Sequence, residues 1–294
     1  MSQKSKHKSF LGISEDPSEA RFIVVPAKIG GTSVGRKGAE KAPEKIISAS
    51  WQLEDFDTET KTVFIQEGIA TESPCRNLNQ LAKKVEKIIS DGKFPIVIGG
   101  EHFITHQVLK IFKKFYGSVG AIFFDAHADM FPEFDGRKIH HACALYLSLP
   151  YIDDFLCIGV RNLSPIELEE IKAKKLEERF LFFEDFFPNF LGQTPSYHLL
   201  TNKLEKIKAN AIYISFDFDF VDPSAIPSLS TPEPPGFSFR ETLDILKKII
   251  SFFGSRIKGA DFVEFCPDKN FFAEVSAAKI ISKTISYIYQ FSGT

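Results

Sequence analysis

Short apolar runs alternate along the chain with longer segments whose apolar residues recur at helical spacing. Seven nearly continuous apolar runs predict buried β-strands, at residues 21–27, 94–100, 119–125, 154–160, 179–185, 211–217 and 257–265. Five segments predict amphipathic helices, at residues 76–92, 104–115, 164–178, 238–253 and 277–291. This alternation predicts an α/β fold with a mostly parallel sheet and helices on both faces.

Prolines and serines crowd residues 222–238, in the stretch DPSAIPSLSTPEPPGFS. This composition excludes a regular element there, and we interpret the stretch as a surface loop after a strand.

Composition narrows the class of protein. The chain has 294 residues, 44% of them hydrophobic, which is enough for one large core. We expect a flexible N-terminal tail over residues 1–20 and a single domain over 21–294. With 36 basic and 38 acidic residues the net charge is −2, which argues against nucleic-acid binding.

No apolar run approaches the roughly 20 residues of a membrane-spanning helix, and no secretory signal is evident. The four cysteines are scattered and predicted to be reduced, so a cytoplasmic location is expected.

Acidic and histidine residues cluster just after several predicted strands. FFDAHAD places Asp125, His127 and Asp129 at every second position, and side chains at this spacing share one face of an extended chain. Asp217 and Asp219 follow a second strand, and His102 follows Gly99-Gly100 after a third. Because ligands of open parallel sheets bind beyond the carboxyl ends of strands, we expect these groups to converge.

Each of these pieces has a structural explanation when taken alone. An Asp-x-His can cap a strand end, and acids that alternate with Phe216, Phe218 and Phe220 also fit an edge strand with one wet face. Together, however, they supply two imidazoles and four or five carboxylates, a set that suits Mn²⁺ or a similar divalent ion. The repulsion among so many carboxylates predicts two neighbouring ions that offset it.

At these residues the sequence closely resembles the ureohydrolase family, which comprises arginases, agmatinases and their relatives. The resemblance runs through GGEHFITH (99–106), FFDAHAD (123–129), SFDFDFVDP (215–223), STPEPPG (230–236) and DFVEFCP (261–267). It implies a three-layer sandwich whose central sheet has about eight strands. It also implies two Mn²⁺ ions, with Ni²⁺ or another divalent metal as a substitute, and a homo-oligomer, either a trimer or a hexamer.

Carried over position by position, the resemblance implies the metal ligands. One ion would be bound by His102, Asp125, Asp129 and Asp217, and the other by His127, Asp125, Asp217 and Asp219. Asp125 and Asp217 would therefore bridge the two ions.

The resemblance also implies the residues that act on the substrate. His141, in IHHACAL, matches a proton-shuttling histidine whose pKa is expected near neutrality. Glu264 matches the acid that binds the guanidinium group, and Thr231 matches a hydroxyl beside it. Asp129 would relay a proton. The implied reaction is hydrolysis of a small guanidino substrate to urea and an amine.

Residues 130–139 bear on which guanidine is the substrate. Met130 stands where arginases place a carboxylate-binding asparagine, and Glu133 and Asp135 would repel a carboxylate and attract an ammonium group. This favours agmatine, hydrolysed to putrescine for polyamine synthesis, or an amine-extended agmatine. Arg137 and Lys138 keep acidic substrates open, so arginase, formiminoglutamase and guanidinobutyrase activities are alternatives. An alternative of another class is a non-catalytic metal-binding scaffold on the same fold.

Overall fold

The computed structural model describes residues 9–13, 15–187 and 196–292. An eight-stranded sheet runs through it, and all of its paired strands are parallel. The strands are β1 (Phe22–Pro26), β4 (Ile69–Thr71), β5 (Phe94–Ile98), β6 (Val119–Phe124), β7 (Asp154–Val160), β8 (Phe180–Phe182), β9 (Ala211–Asp217) and β10 (Ile257–Val263). Their order across the sheet is β4-β1-β5-β10-β9-β6-β7-β8. A separate antiparallel hairpin joins β2 (Phe56–Asp57) to β3 (Thr62–Val63).

Eight α-helices occupy the described ranges. They are α1 (Ala42–Ala49), α2 (Leu78–Ser90), α3 (Ile104–Tyr116), α4 (Ala144–Ser148), α5 (Pro165–Ala173), α6 (His198–Leu204), α7 (Phe239–Phe253) and α8 (Phe271–Phe291). Short 3-10 helices include Phe10–Gly12, Ala39–Lys41, His141–Cys143, Phe183–Phe186 and Phe218–Phe220. The predicted α/β architecture with about eight parallel strands is confirmed.

Sequence signals at the helix ends explain where two helices begin. Ser164 accepts a hydrogen bond from the backbone N–H of Glu167, whose side chain accepts one from the Ser164 N–H in return. Ser238 and Glu241 form the same reciprocal pair at the start of α7. Each pair satisfies backbone donors that have no partner inside the helix.

No helix in the described part of the chain is both long enough and apolar enough to cross a bilayer.

The sheet buries alternating residues on its two faces. Ile122 and Phe124 of β6 belong to one apolar cluster with helices α1, α6, α7 and α8, whereas Ala121 and Phe123 belong to the opposite cluster with α2, α3, α4 and α5. Both faces are covered, which explains why the strands read as continuous apolar runs rather than as alternating ones.

Two expectations about the irregular segments need correction. Phe10, inside the predicted tail, is buried in the core, so packed structure begins before residue 21; residues 1–8 and 14 of that tail lie outside the described residues. The stretch 222–238 is irregular as predicted, but it is not simply a surface loop. Ile226, Ser228 and Leu229 are buried in it because it folds back against the ends of the central strands.

Candidate metal centre

The carboxyl ends of four adjacent strands bring the predicted ligands together. Strands β5, β10, β9 and β6 are neighbours in the sheet. The residues that follow them are His102 after β5, Glu264 after β10, Asp217 and Asp219 at the end of β9, and Asp125, His127 and Asp129 after β6. We call the six residues His102, Asp125, His127, Asp129, Asp217 and Asp219 the carboxylate nest.

The turn after β5 depends on glycine. A Cβ atom on Gly100 would lie 2.0 Å from the carbonyl oxygen of Ile29. Only glycine allows the two chain segments to pass this closely. This close approach delivers Glu101 and His102 to the end of the sheet, directly before α3 begins.

His102 faces three carboxylates at once. Its Nδ1 lies 3.1 Å from Asp125 Oδ2, 3.2 Å from Asp129 Oδ2 and 3.3 Å from Asp217 Oδ2. Ligand atoms held at right angles around a metal with bonds near 2.1 Å are about 3 Å apart. These distances suit ligands of one ion, and His102, Asp125 and Asp129 also lie close enough to one another to share it.

His127 forms the second half of the nest. Its Nδ1 lies 2.8 Å from Asp219 Oδ2 and 3.8 Å from Asp125 Oδ1. Asp125 thus faces both histidines, one with each oxygen. This arrangement suits a carboxylate that bridges two ions.

Backbone amides hold three of the carboxylates in place. The N–H of His127 donates to Asp125 Oδ1 at 2.7 Å, and that of Asp219 donates to Asp217 Oδ1 at 2.8 Å. Asp219 Oδ1 accepts from the N–H of Ala126 at 3.0 Å. The remaining oxygen of each carboxylate is directed into the nest.

The trio of FFDAHAD converges by a different route from the expected one. β6 ends at Phe124, and Asp129 has a left-handed backbone with φ of 50°. The side chains therefore meet through a bend rather than through alternation along a strand. A non-glycine residue in this conformation costs about 1 kcal/mol or more, which is typical of functional sites.

Repulsion within the nest raises the pKa of most of its acids. Burial, with Asp125 adding to it, raises the pKa of Asp129 to about 7. Burial and the charges of Asp219 and Asp125 raise the pKa of Asp217 well above its ordinary value. The pKa of Asp219 is instead lowered, because its burial is outweighed by the charge and hydrogen bond of His127.

The nest fits divalent cations on structural grounds. His102 Nδ1 is buried without a hydrogen-bond partner although three carboxylate oxygens surround it. Although burial alone would lower it, these three carboxylates raise the pKa of His102 well above its ordinary value, so the cluster attracts a positive charge, which either a proton or a metal ion can supply. Among the described residues, two sets of ligand atoms lie close enough to hold an ion: His102 with Asp125 and Asp129, and Asp125 with His127 and Asp219.

Glu264 lies beside the nest with one oxygen free. Its Oε1 accepts a hydrogen bond from the His102 N–H at 2.6 Å, while its buried Oε2 has no partner. Burial and the nearby charge of Glu101 raise the pKa of Glu264 to about 8. Its backbone φ of 64° is also left-handed. The unpaired oxygen lines the cavity and is available to a bound cation.

His141 lies on the opposite wall of the cavity. Its backbone N–H donates to Thr32 Oγ1 at 3.1 Å, and its ring Nδ1 lies 3.4 Å from the same oxygen. Burial, with His140 adding to it, lowers the pKa of His141 to about 4. This is lower than the near-neutral value expected from the sequence, and the ring is neutral at pH 7.

The sequence matches the arginase family model over residues 20–286. The chain belongs to the arginase family. It is a ureohydrolase, and members of this family act on small guanidino substrates at binuclear metal centres, for which the nest supplies the candidate ligands.

Named relatives agree with this assignment. The chain is 29% identical over 275 residues to an N(1)-aminopropylagmatine ureohydrolase of Thermus thermophilus, covering 91% of this chain and 90% of the relative. It is 25% identical over 291 residues to the agmatinase of Halalkalibacterium halodurans, covering 95% and 96%. The crystal structure of agmatine ureohydrolase from Thermoplasma volcanium superposes with a TM-score of 0.80 at 27% identity, covering 94% of this chain and 92% of that one.

The arginase-family cavity opens outward from the nest with a volume of about 330 Å³. Asn162, Glu167, Thr231 and Glu233 line its outer part together with Phe131 and Phe134. The predicted Thr231 is therefore in the cavity.

The predicted specificity residues lie elsewhere. Met130 is fully buried, and Glu133 and Asp135 are exposed outside the cavity lining. Arg137 and Lys138 are likewise exposed and do not line it. Apart from Glu264 and the acids of the nest, the acids that line the cavity are Glu167, on the start of α5, and Glu233, on the irregular stretch 222–238.

One functional residue was missed. Glu101 is a strand-end acid to which the sequence assigned no role, yet it binds the loop that contacts His141. Its Oε1 accepts from the N–H groups of Gly31 at 2.6 Å, Thr32 at 2.9 Å and Ser33 at 3.0 Å, and its Oε2 accepts from the Thr32 hydroxyl. The signal was available, because an acid directly before the metal-facing histidine of GGEH needs its own partners when buried.

Proposed function

We propose that this arginase-family chain hydrolyses a guanidino substrate at two Mn²⁺ ions held by the nest, within a single domain. Asp125 and Asp217 would be ligands of both ions, with His102 and Asp129 completing one set of ligands and His127 and Asp219 the other. The observation that carries the proposal is His102 Nδ1, which is buried, faces three carboxylate oxygens and has no hydrogen-bond partner.

The residues around the nest have distinct roles in this reaction. When bound, the two cations supply the Lewis acidity that brings the pKa of a water molecule near neutrality. Glu264 binds the guanidinium through its free Oε2, a charge-assisted contact that orients the carbon toward this water. Asp129 accepts a proton from the attacking water. His141, neutral at pH 7, exchanges protons between the cavity and bulk solvent.

Atoms balance in a simple way. Water adds its oxygen to the guanidinium carbon, the bond from this carbon to the alkyl-bearing nitrogen breaks, and the leaving amine takes up a proton. The products are urea and the alkylammonium ion of the leaving amine.

Within this reaction we propose agmatine, giving putrescine, or an amine-extended agmatine as the substrate. Glu233 and Glu167 would attract a distal ammonium and repel a carboxylate. No lysine or arginine is among the described residues that line the cavity, so arginine, guanidinobutyrate and formiminoglutamate find no cationic partner for their acid group there. The name of the Thermus thermophilus relative supports an amine-extended substrate. We also propose a cytoplasmic homo-oligomer, a trimer or a hexamer.

A urea-release assay with Mn²⁺ tests this proposal. Urea release from agmatine, N1-(3-aminopropyl)agmatine, arginine and guanidinobutyrate should be compared at equal concentrations, with formamide release measured for formiminoglutamate. The proposal predicts hydrolysis of the two amines well above that of the three acids. Preference for an acid would contradict the substrate assignment. A protein that binds two Mn²⁺ ions yet hydrolyses none of the five would favour the non-catalytic scaffold.

A variant at the cavity mouth separates specificity from chemistry. Glu233 also accepts a hydrogen bond from the Asn162 side chain at 2.8 Å, which an amide can partly retain. Glu233→Gln should raise KM for agmatine about five-fold, equivalent to roughly 1 kcal/mol for a partly exposed ion pair. It should leave kcat nearly unchanged. Guanidinobutyrate serves as the control, since its KM should not rise.

A further inference from the structure

Resting on the proposed metal centre, we propose that Ser215 and Asp261 form a positioning relay that fixes the tautomer of His102. In this relay the proton of the neutral ring is held on Nε2, so that Nδ1 is the nitrogen that presents a lone pair to a cation in the nest. Ser215 and Asp261 touch neither substrate nor ion. They act through His102.

The relay is a fully buried hydrogen-bond chain behind the nest. His102 Nε2 lies 2.9 Å from Ser215 Oγ, and Ser215 Oγ donates to Asp261 Oδ1 at 2.7 Å. Ser215 and Asp261 are 0% exposed and His102 is 1% exposed. Solvent therefore cannot replace any partner in the chain.

Two further hydroxyl groups converge on the same carboxylate. Thr105 Oγ1 donates to Asp261 Oδ2 at 2.8 Å, and Tyr213 Oη donates to it at 3.0 Å. Asp261 thus accepts three hydroxyl protons, and this number of donors satisfies a buried carboxylate without a cation.

The number of protons on each group fixes which group donates in each hydrogen bond of the relay. An ionised carboxylate only accepts hydrogen bonds, and a serine hydroxyl has one proton to donate. Because Ser215 gives its proton to Asp261, its oxygen can only accept from His102. Nε2 must therefore carry the ring proton. A neutral imidazole has one N–H, so Nδ1 is left bare, which agrees with its lack of a hydrogen-bond partner.

Loss of the relay is expected to affect metal binding as well as folding. Without the relay, His102 would be free to carry its proton on Nδ1, where three carboxylate oxygens would accept it. Binding a cation would then require that proton to be displaced. The relay instead holds the single proton of the neutral ring on Nε2, which leaves Nδ1 as the nitrogen that a cation can occupy, as outer partners of metal-bound histidines generally do.

The decisive comparison is Ser215→Ala against Tyr213→Phe. Each substitution removes one fully buried hydroxyl group that donates a hydrogen bond to Asp261. Only Ser215→Ala also removes the hydrogen bond to His102. Mn²⁺ binding to the full-length chain is measured by the loss of the free-ion signal in electron paramagnetic resonance, and thermal unfolding is measured on the same samples.

Ser215→Ala should weaken one of the two ions by about 10- to 100-fold, while the other ion stays within about three-fold of native. Tyr213→Phe should lower the unfolding temperature by a similar amount but leave both affinities near native. Native affinity in Ser215→Ala, or equal weakening in both variants, would overturn the relay. If Ser215→Ala does not fold, Asp261→Asn, which keeps the volume but leaves one acceptor oxygen, should give the same loss at one ion. Native affinity there would also overturn the relay.

The same titration separates this inference from the proposed function. If the native protein binds two ions and releases urea while Ser215→Ala binds both normally, only the relay fails. If the native protein binds no Mn²⁺, both the metal centre and the relay fail.

Discussion

Two clusters of acidic residues in this molecule differ in how their negative charge is balanced. One is the carboxylate nest at the end of the central sheet. The other, which we call the Lys283 cluster, consists of Asp57, Glu59, Lys247 and Lys283, where the hairpin loop packs against α8 and α7. Lys283 Nζ donates to Asp57 Oδ1 at 2.9 Å and to Glu59 Oε2 at 2.7 Å. Lys247 Nζ donates to Glu59 Oε1 at 2.9 Å.

The pKa values of the acids in the Lys283 cluster are lowered, whereas those of three of the four nest acids are raised. Although burial alone would raise it, hydrogen bonds from Lys283, Lys247 and Tyr287 lower the pKa of Glu59 to about 2. The pKa of Asp57 is also lowered, because its burial is outweighed by Lys283. In the nest, by contrast, burial and like charge raise the pKa of Asp125 and Asp217.

The difference lies in where the positive charge comes from. The Lys283 cluster contains its own cations. In the described residues the ion pairs of the nest involve only histidines. The nearby Arg161 donates instead to the backbone carbonyls of Asp219, Glu233 and Gly159. The nest therefore has only its histidines, whose pKa values are raised well above the ordinary one, as internal sources of positive charge, and this difference supports the proposal that it binds cations.

The largest effect is expected from Asp217→Asn, which keeps the size of the side chain but removes a charge proposed to touch both ions. Both Mn²⁺ ions should bind more weakly, and urea release should fall at least about 10³-fold. In chelated protein the same change should raise the unfolding temperature by a few degrees, because it relieves repulsion. Asp244→Asn on the exposed side of α7 is the control. Native Mn²⁺ affinity in Asp217→Asn would show that the nest is not the metal site.

Lys283→Met should break the other cluster. The buried Asp57 and the partly buried Glu59 would lose their shared cation, which should lower the free energy of unfolding by about 3 kcal/mol. Urea denaturation measures this loss. Mn²⁺ stoichiometry should not change, since the cluster does not contact the nest.

Lys247→Met is the matched control, because Lys247 is about one-third exposed and pairs only with Glu59. It should cost about 1 kcal/mol or less. Equal losses from the two lysine variants would contradict the view that Lys283 is the main counter-charge.

A smaller effect should appear at acid pH. Because the pKa of Glu59 in the folded chain, about 2, lies below its ordinary value of 4.5, its ionised form stabilises the fold above pH 4.5. This contribution disappears as the pH falls from 4.5 toward 2. Glu59→Gln should therefore be less stable than native at pH 7 by roughly 1 kcal/mol. The gap should narrow over this pH range in denaturation curves, and a constant gap would refute the assignment.

The fold was largely predictable because its central strands are buried on both faces and read as long apolar runs. All seven predicted strands are present, although the one expected at 179–185 is regular only over Phe180–Phe182, before a 3-10 turn. β2, β3 and β4, with two or three residues each, and α1, α4 and α6, with eight, five and seven, were missed. Elements this short carry too little periodicity, and their pairing with neighbours decides them.

The candidate site also has a part that could be predicted from the sequence and a part that could not. The nest residues end or follow long strands, so the sheet itself brings His102, Asp125 and Asp217 together. The cavity mouth is made of irregular segments, whose side-chain directions follow no period. The sequence therefore assigned specificity to Glu133 and Asp135, which point away, and overlooked Glu233. The acids that line the outer cavity are therefore different ones from those that the sequence suggested.

The most direct test of the central claim is anomalous diffraction from crystals grown with Mn²⁺. The account predicts two peaks roughly 3.5 to 4 Å apart, one beside His102 Nδ1 and the other beside His127 Nδ1, with Asp125 and Asp217 between them. A single peak, an empty nest, or manganese bound elsewhere would contradict it.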